Sequence, residues 1–218
     1  TLSWITLQKM KICTLTRLMF FYWFTIAIGF SRTENIALCT ETHGEVQRKG
    51  NVRNGTVRKG DPIYHGDKLI TGENGFVSFM NIYEKTIVKI YENSVVKVLS
   101  DRKSRFSRSE LALFGGKVIV EMTEKNDRKF VLRSPSAIAT ASGTHFLTEY
   151  RDELLYNNLS YCIFTVLTGK MEVENIKSGH SIFMDQGETI ISTREGKFLL
   201  LDTFRDNSGI ANTLMEAN

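Results

Sequence analysis

The chain has 218 residues, 42% of them hydrophobic and 24% charged, which is enough apolar material for a full core without metals or disulfides. Its two prolines exclude a proline-rich linker. The formal charge of +4 is largely an N-terminal effect: residues 1–30 hold Lys9, Lys11 and Arg17 and no acid, and the remainder carries 25 basic against 24 acidic side chains, or +1. A nucleic-acid binder needs a basic surface in the folded domain, so that class is set aside.

Residues 1–30 read as a hydrophobic leader. Three basic residues precede a 13-residue apolar run, Leu18 to Phe30. That is the pattern of a secretory signal peptide, and it is short for a bilayer span of about 20 residues. Cleavage is expected after Ala27-Ile28-Gly29 or Gly29-Phe30-Ser31. An uncleaved inner-membrane anchor over residues 18–30 is the second reading, and a buried core helix the third. Met10-Lys11 stands as a natural initiation site. Leu38 is too large to precede a lipidated cysteine, so Cys39 is not read as a lipoprotein site. The expected address is periplasmic or secreted, with membrane contact only through an uncleaved leader.

Residues 31–43 follow as an extended polar lead-in, and strand grammar starts at Gly44. Asn54-Gly55 is a hairpin signal because both residues tolerate positive φ. Lys59-Gly60-Asp61-Pro62 is a second turn. A short strand at Leu69–Thr71 is followed by strands at Phe76–Tyr83, Thr86–Tyr91 and Val95–Leu99, with turns at 84–86 and 92–94. Asp101–Arg108 reads as a solvated charged loop, with a basic docking site as the alternative. Leu111–Phe114 and Val118–Met122 are expected as a strand pair about Gly115-Gly116, the second with clean period-two alternation.

The stretch from Phe130 to Phe146 organises the chain. It opens as an apolar strand and breaks at Ser134-Pro135, since proline lacks a ladder N–H. It then runs through small residues to Gly143 and starts a new strand at Thr144. After a polar loop, Arg151–Ser160, come strands at Tyr161–Leu167, Gly169–Glu174, Ser181–Met184 and Thr189–Thr193. The tail, residues 194–218, holds the apolar run Phe198–Leu201 and a short helix near Ile210–Met215. "Apolar strand, glycine, apolar strand" recurs at Gly116, Gly169 and Gly187. The fold class is therefore all-β: a jellyroll-like β-sandwich or a short β-solenoid, preceded by the hydrophobic leader.

Chemistry is hard to find. His43, His65, His145 and His180 are scattered, without metal-ligand spacing. Gly115-Gly116-Lys117-Val118 lacks the spacing of a phosphate loop, and Ser142-Gly143 lacks the first glycine of a nucleophile elbow. Glu121, Glu149, Glu172 and Glu174 lie on strands and would serve as a hydrolytic pair only if they met in a cleft. No catalytic residue, metal or cofactor is assigned. Cys39 and Cys162 would pair only if the fold brings them together, and Cys162 reads as a small buried hydrophobe.

In this order the motifs Gly66-Asp67-x-Leu69-x-Thr71-Gly72-x-x-Gly75, Thr86–Ser94, Leu111–Val118, Phe130-x-Leu132-x-Ser134-Pro135-x-Ala137 and Gly143-Thr144-x-Phe146 resemble the FecR domain, a bacterial cell-envelope module. Phe164–Val173 and Phe183–Gly187 close the match, which spans residues 44–193. The resemblance departs at Ser142, where the family has arginine, and at Glu84-Lys85-Thr86, which replaces an Asp-Gly-Ser turn. It implies a jellyroll-like domain outside the cytoplasmic membrane, which in regulatory members relays a signal from an outer-membrane receptor to a sigma factor. With so little chain ahead of the apolar run, the expectation is a stand-alone domain that lacks a sigma-factor-binding segment.

The expected function is non-enzymatic binding of an envelope protein, an outer-membrane receptor being one candidate, through an exposed strand edge at Gly143, Thr144, His145 and Thr148. The alternative is a carbohydrate-binding or structural surface module, with a surface glycan held on Tyr83, Tyr91, Tyr150 and Tyr156.

Overall fold

A computed structural model describes residues 35–101, 108–123, 128–151 and 160–200. The leader, the charged-loop residues 102–107, most of the 151–160 loop and the tail beyond 200, with its expected helix, lie outside the described residues. The strands are β1 (Asn35–His43), β2 (Val46–Lys49), β3 (Gly55–Thr56), β4 (Pro62–Tyr64), β5 (Lys68–Thr71), β6 (Phe76–Asn81), β7 (Ile87–Ile90), β8 (Val95–Asp101) and β9 (Arg108–Glu121). They continue as β10 (Phe130–Arg133), β11 (Ala137–Ala141), β12 (His145–Arg151), β13 (Tyr161–Thr168), β14 (Met171–Asn175), β15 (Ser181–Met184), β16 (Thr189–Thr193) and β17 (Phe198–Leu200). The described residues are all-β, as expected, and among them there is no helix long and apolar enough to cross a membrane.

The strands form two ladders that share β9. The front ladder runs β4-β1-β6-β7-β9-β12-β13-β16-β17. The back ladder runs β3-β2-β5-β8-β9-β10-β11-β14-β15. Pairing is antiparallel except between β10 and β9, which are parallel. Residues 108–115 of β9 pair in the back ladder and residues 116–121 in the front. The two segments expected as a strand pair about Gly115-Gly116 are thus one continuous strand. The glycines bend it from one layer to the other, because Gly116 adopts φ +85°, a value L-residues resist. Gly169 and Gly187, φ +88° and +85°, likewise sit where the chain changes layer, so the recurring glycine marks a layer crossing.

Alternation fills the space between the layers. Val77, Phe79, Val88, Val118, Val120, Phe146 and Phe164 point in from the front; Val46, Leu69, Val96, Leu111, Leu132, Ala139 and Val173 point in from the back. Each fully buried aliphatic side chain stabilises the fold by about 1.5–3 kcal/mol. The Phe130 and Phe146 rings meet edge to face across the layers at 6.2 Å. The alanines of β11 keep the backbone approach close there. The lead-in residues 35–43 are not outside this body: they form β1, buried through Ala37 and Cys39 and paired on both sides. Tyr161, Ile163 and Ile191 make a second apolar cluster with Leu199, apart from the interlayer core.

Candidate partner-binding site

The motif residues turn out to brace the corners where strands change layer. Thr71 Oγ1 donates to the Tyr91 carbonyl at 2.5 Å and accepts the Ser94 N–H at 2.9 Å. Ser94 Oγ in turn accepts the Lys117 N–H at 2.9 Å. Gly116 fits against this knot only because it lacks a side chain: a Cβ there would lie 2.1 Å from Ser94 Oγ. Asp67 is fully buried, accepts the Tyr64 N–H at 2.9 Å and faces the buried Arg48, whose Nη1 lies 3.8 Å away and donates to the Pro62 carbonyl at 2.7 Å. Burial pushes the Asp67 carboxyl above its ordinary value, against the Tyr64 N–H and the Arg48 charge.

The four residues expected to contact a partner are distributed differently from that expectation. Thr144 is fully buried, its hydroxyl 2.7 Å from the Lys170 carbonyl and 2.9 Å from that of Ser142. It braces the β11–β12 corner beside Gly143 (φ +57°) and packs against Gly169. Thr148 is also fully buried, on the core side of β12 with Phe146 and Tyr150. Only His145 reaches the outer face, with a third of its side chain exposed. The strand is not an edge: β12 is paired along its length with β9 on one side and β13 on the other. Its backbone groups are spent within the sheet, so strand addition cannot occur there.

On the outer face His145 joins Glu121 and Lys89. Lys89 Nζ bonds Glu121 Oε1 at 2.5 Å, and His145 Nε2 stands 3.6 Å from the same oxygen, beyond hydrogen-bond reach. Burial lowers the His145 pKa, Glu121 opposes that shift and Lys89 adds to it. One strand position away, Phe76 meets the Tyr91 ring edge to face at 5.5 Å, and Lys117 Nζ lies 4.7 Å from the Tyr91 centroid. Tyr91 therefore has its ring engaged, Tyr150 is core, Tyr83 lies in the β6–β7 turn, and Tyr156 is outside the described residues. The expected tyrosines share no platform.

The carboxylates do not meet in a cleft either. Glu121 and Glu149 are on β9 and β12 of the front ladder, held by Lys89 and Arg151, while Glu172 and Glu174 are on β14 of the back. A cavity of about 10 Å³ between the layers, lined in part by Asn81, Thr86 and Ser109, has room for one water. No cluster of metal-ligating side chains occurs among the described residues. Cys39 and Cys162 are buried free thiols, each pushed up by burial.

Free edges do exist, at β3, β4, β15 and β17, each paired on one side only among the described residues. β15 bears the most exposed large apolar side chain of these edges. It carries no charge, pairs only with β14, and bears Phe183, which is 78% exposed. Native edges are normally guarded by lysine, proline or a bulge, and β15 has none of these. Sequence reading missed this edge because the consecutive apolar residues Ile182, Phe183 and Met184 read like any interior strand.

Two crystal structures of a suggested anti-sigma factor from Parabacteroides distasonis ATCC 8503 are similar to the chain, at 17% and 16% identity with TM-scores of 0.48 and 0.49. Each similarity covers 61% of this chain and 57% of the other, so the chain spans little more than half the length of those proteins. A cell surface anchoring domain is similar at 29% identity and a TM-score of 0.28, over 29% of this chain and 84% of that one. No curated protein matches the chain. Residues 67–159 match the family model described as FecR protein, a span that opens on Asp67 and includes the Thr71–Ser94–Gly116 knot and the Thr144 brace. Over those residues the chain is similar to FecR proteins.

Proposed function

We propose that this chain is an exported, non-enzymatic FecR-type module of cell-envelope sensing or signalling, and that it works by holding an envelope protein, an outer-membrane receptor being one candidate. The family match over residues 67–159 carries this reading. The leader, residues 1–30, is taken as the export signal or anchor, residues 44–193 as the FecR-like body and residues 194–218 as an extension.

Within the matched span the strands β5 to β12 are paired on both sides, so the partner is expected to dock by strand addition on a flanking edge. The unguarded β15 edge with Phe183 is the proposed contact. His145, with Glu121 and Lys89, stands on the other ladder and is not required by this mode.

The test is capture from the native envelope fraction with the full chain and with Phe183→Lys, the mature N-terminus being read by mass spectrometry. Phe183 is exposed, so the variant should fold normally. An envelope protein held by the parent chain and lost by the variant, with the leader removed, is the expected result. Equal capture by both refutes the edge assignment, and no capture by either refutes the partner-binding reading.

A further inference from the structure

The outer face of the back ladder carries a second feature that sequence order conceals. Lys49, Lys68 and Lys97 stand abreast on β2, β5 and β8. Lys49 is the register partner of Lys68, and Lys68 of Lys97. Inward-facing Arg48, Leu69, Val96 and Val98 alternate with them, so the three ammonium groups share the solvent side. Neighbouring strands lie about 4.8 Å apart, which makes the row about 10 Å long.

Like charges directly opposite in a sheet destabilise it. Here two such pairs adjoin, and none of the three lysines forms an ion pair with a described residue. The acids nearest in the ladder are engaged elsewhere: Asp67 faces inward to Arg48, and Glu110 holds Arg133 at 2.6 Å. The other positions on this face beside the row are Gln47, Ile70, Val95, Leu99 and Ala112, none of them acidic. At the same row Phe114 is 51% exposed, and Lys68 Nζ lies 5.5 Å from its ring centroid.

We propose that this face binds a linear acidic polysaccharide. Lysine supplies point charges rather than a planar fork, which suits carboxylate groups spaced along a chain better than one tightly gripped anion. A flat row suits a polymer lying across the strands. The exposed Phe114 ring offers an apolar surface for a sugar ring beside the cations, which an acidic peptide would not need. The inference is independent of the FecR reading and of the β15 edge.

The test uses the full chain with polygalacturonate as the acidic polymer, dextran as the neutral one and polyglutamate as the acidic peptide, in titrations at low and moderate salt. Polygalacturonate should bind, weaken with salt as the entropy gained by releasing counterions falls, and exceed both other polymers. The triple variant Lys49→Gln, Lys68→Gln, Lys97→Gln should bind about tenfold more weakly, the sum of three exposed charge contacts. Its thermal midpoint should hold or rise, because like-charge repulsion is removed. Phe114→Ala should weaken polygalacturonate and leave polyglutamate unchanged. Failure of the parent chain to bind polygalacturonate overturns the proposal, as does a triple variant that binds equally well. Equal or tighter binding of polyglutamate overturns the sugar assignment in favour of an acidic protein segment.

Discussion

Replacing Gly116 by alanine tests whether the layer-crossing knot holds the sandwich together, and Gly187 supplies the control. Both glycines have φ +85°. A Cβ at Gly187 meets nothing within 4 Å, so Gly187→Ala carries the backbone strain alone, about 1–2 kcal/mol. A Cβ at Gly116 would lie 2.1 Å from Ser94 Oγ and 2.5 Å from Ser94 Cα. Ser94 must then move away, breaking the buried bond from the Lys117 N–H and disturbing the Ser94 N–H bond to Thr71. Each buried bond lost with its partner left unsatisfied costs about 1–3 kcal/mol. Gly116→Ala should therefore cost about 3–6 kcal/mol, a large part of a typical 5–15 kcal/mol total. Urea unfolding followed by far-UV circular dichroism measures both variants. With a slope of about 2 kcal/mol/M, the Gly116 variant should unfold about 1–2 M earlier than the Gly187 variant. Equal midpoints would refute the reasoning, since strain alone would then account for both.

Thr144→Val keeps the shape of the side chain and removes its hydroxyl from the Lys170 carbonyl; it should lower stability by about 1–3 kcal/mol in the same assay, whereas an unchanged midpoint with lost envelope-protein capture would make Thr144 a contact residue. His145 is held below its ordinary value of 6.5 by burial, so the unfolded chain binds the proton more readily, and stability should fall as pH drops through 6.5 towards the lowered value. That fall should be smaller in His145→Gln, and identical pH profiles for the two proteins would remove His145 as the cause. Cys39 and Cys162 are buried with their thiols raised by burial, so mass mapping after brief alkylation at pH 8 should find both unlabelled until denaturant is added.

Local pattern made most strands legible, and long-range register accounts for what was missed. Val118, Val120 and Met122 alternate with Ile119 and Glu121, and that alone places a half-buried strand. Ser134-Pro135 and Gly143 bound β11 as their backbone chemistry requires. Gly115-Gly116 misled because two glycines in sequence look the same whether they reverse a chain or bend it; only the change of partner from β8 to β7 and β12 tells the cases apart. The same limit hid the status of β12. His145 to Arg151 has the sequence of an edge or an interior strand equally well, and its second partner, β9, is contributed by residues 116–121. Cys39 on β1 points into the interlayer core, a placement that a polar lead-in gives no cue to.

The corner braces bear on how the family signature should be used. Asp67, Thr71, Ser94, Gly116 and Thr144 are buried or pressed against buried neighbours, and Asp67, Thr71, Ser94 and Thr144 each commit a side-chain oxygen to a backbone group of the same chain. Residues so placed are constrained by the layer crossing, whatever the domain binds. A signature made of them identifies the fold and is silent on the ligand. Specificity must then reside in exposed side chains outside these corners, and two such sets stand out: Phe183 on an unguarded edge, and three lysines abreast beside Phe114. The two sets make opposite demands on experiment from the braces. A brace variant should lose stability and binding together, whereas Phe183→Lys and the lysine-to-glutamine variants should each lose one kind of binding with the fold intact. If the surface variants unfold the protein instead, the division between corner and surface drawn from this geometry is wrong.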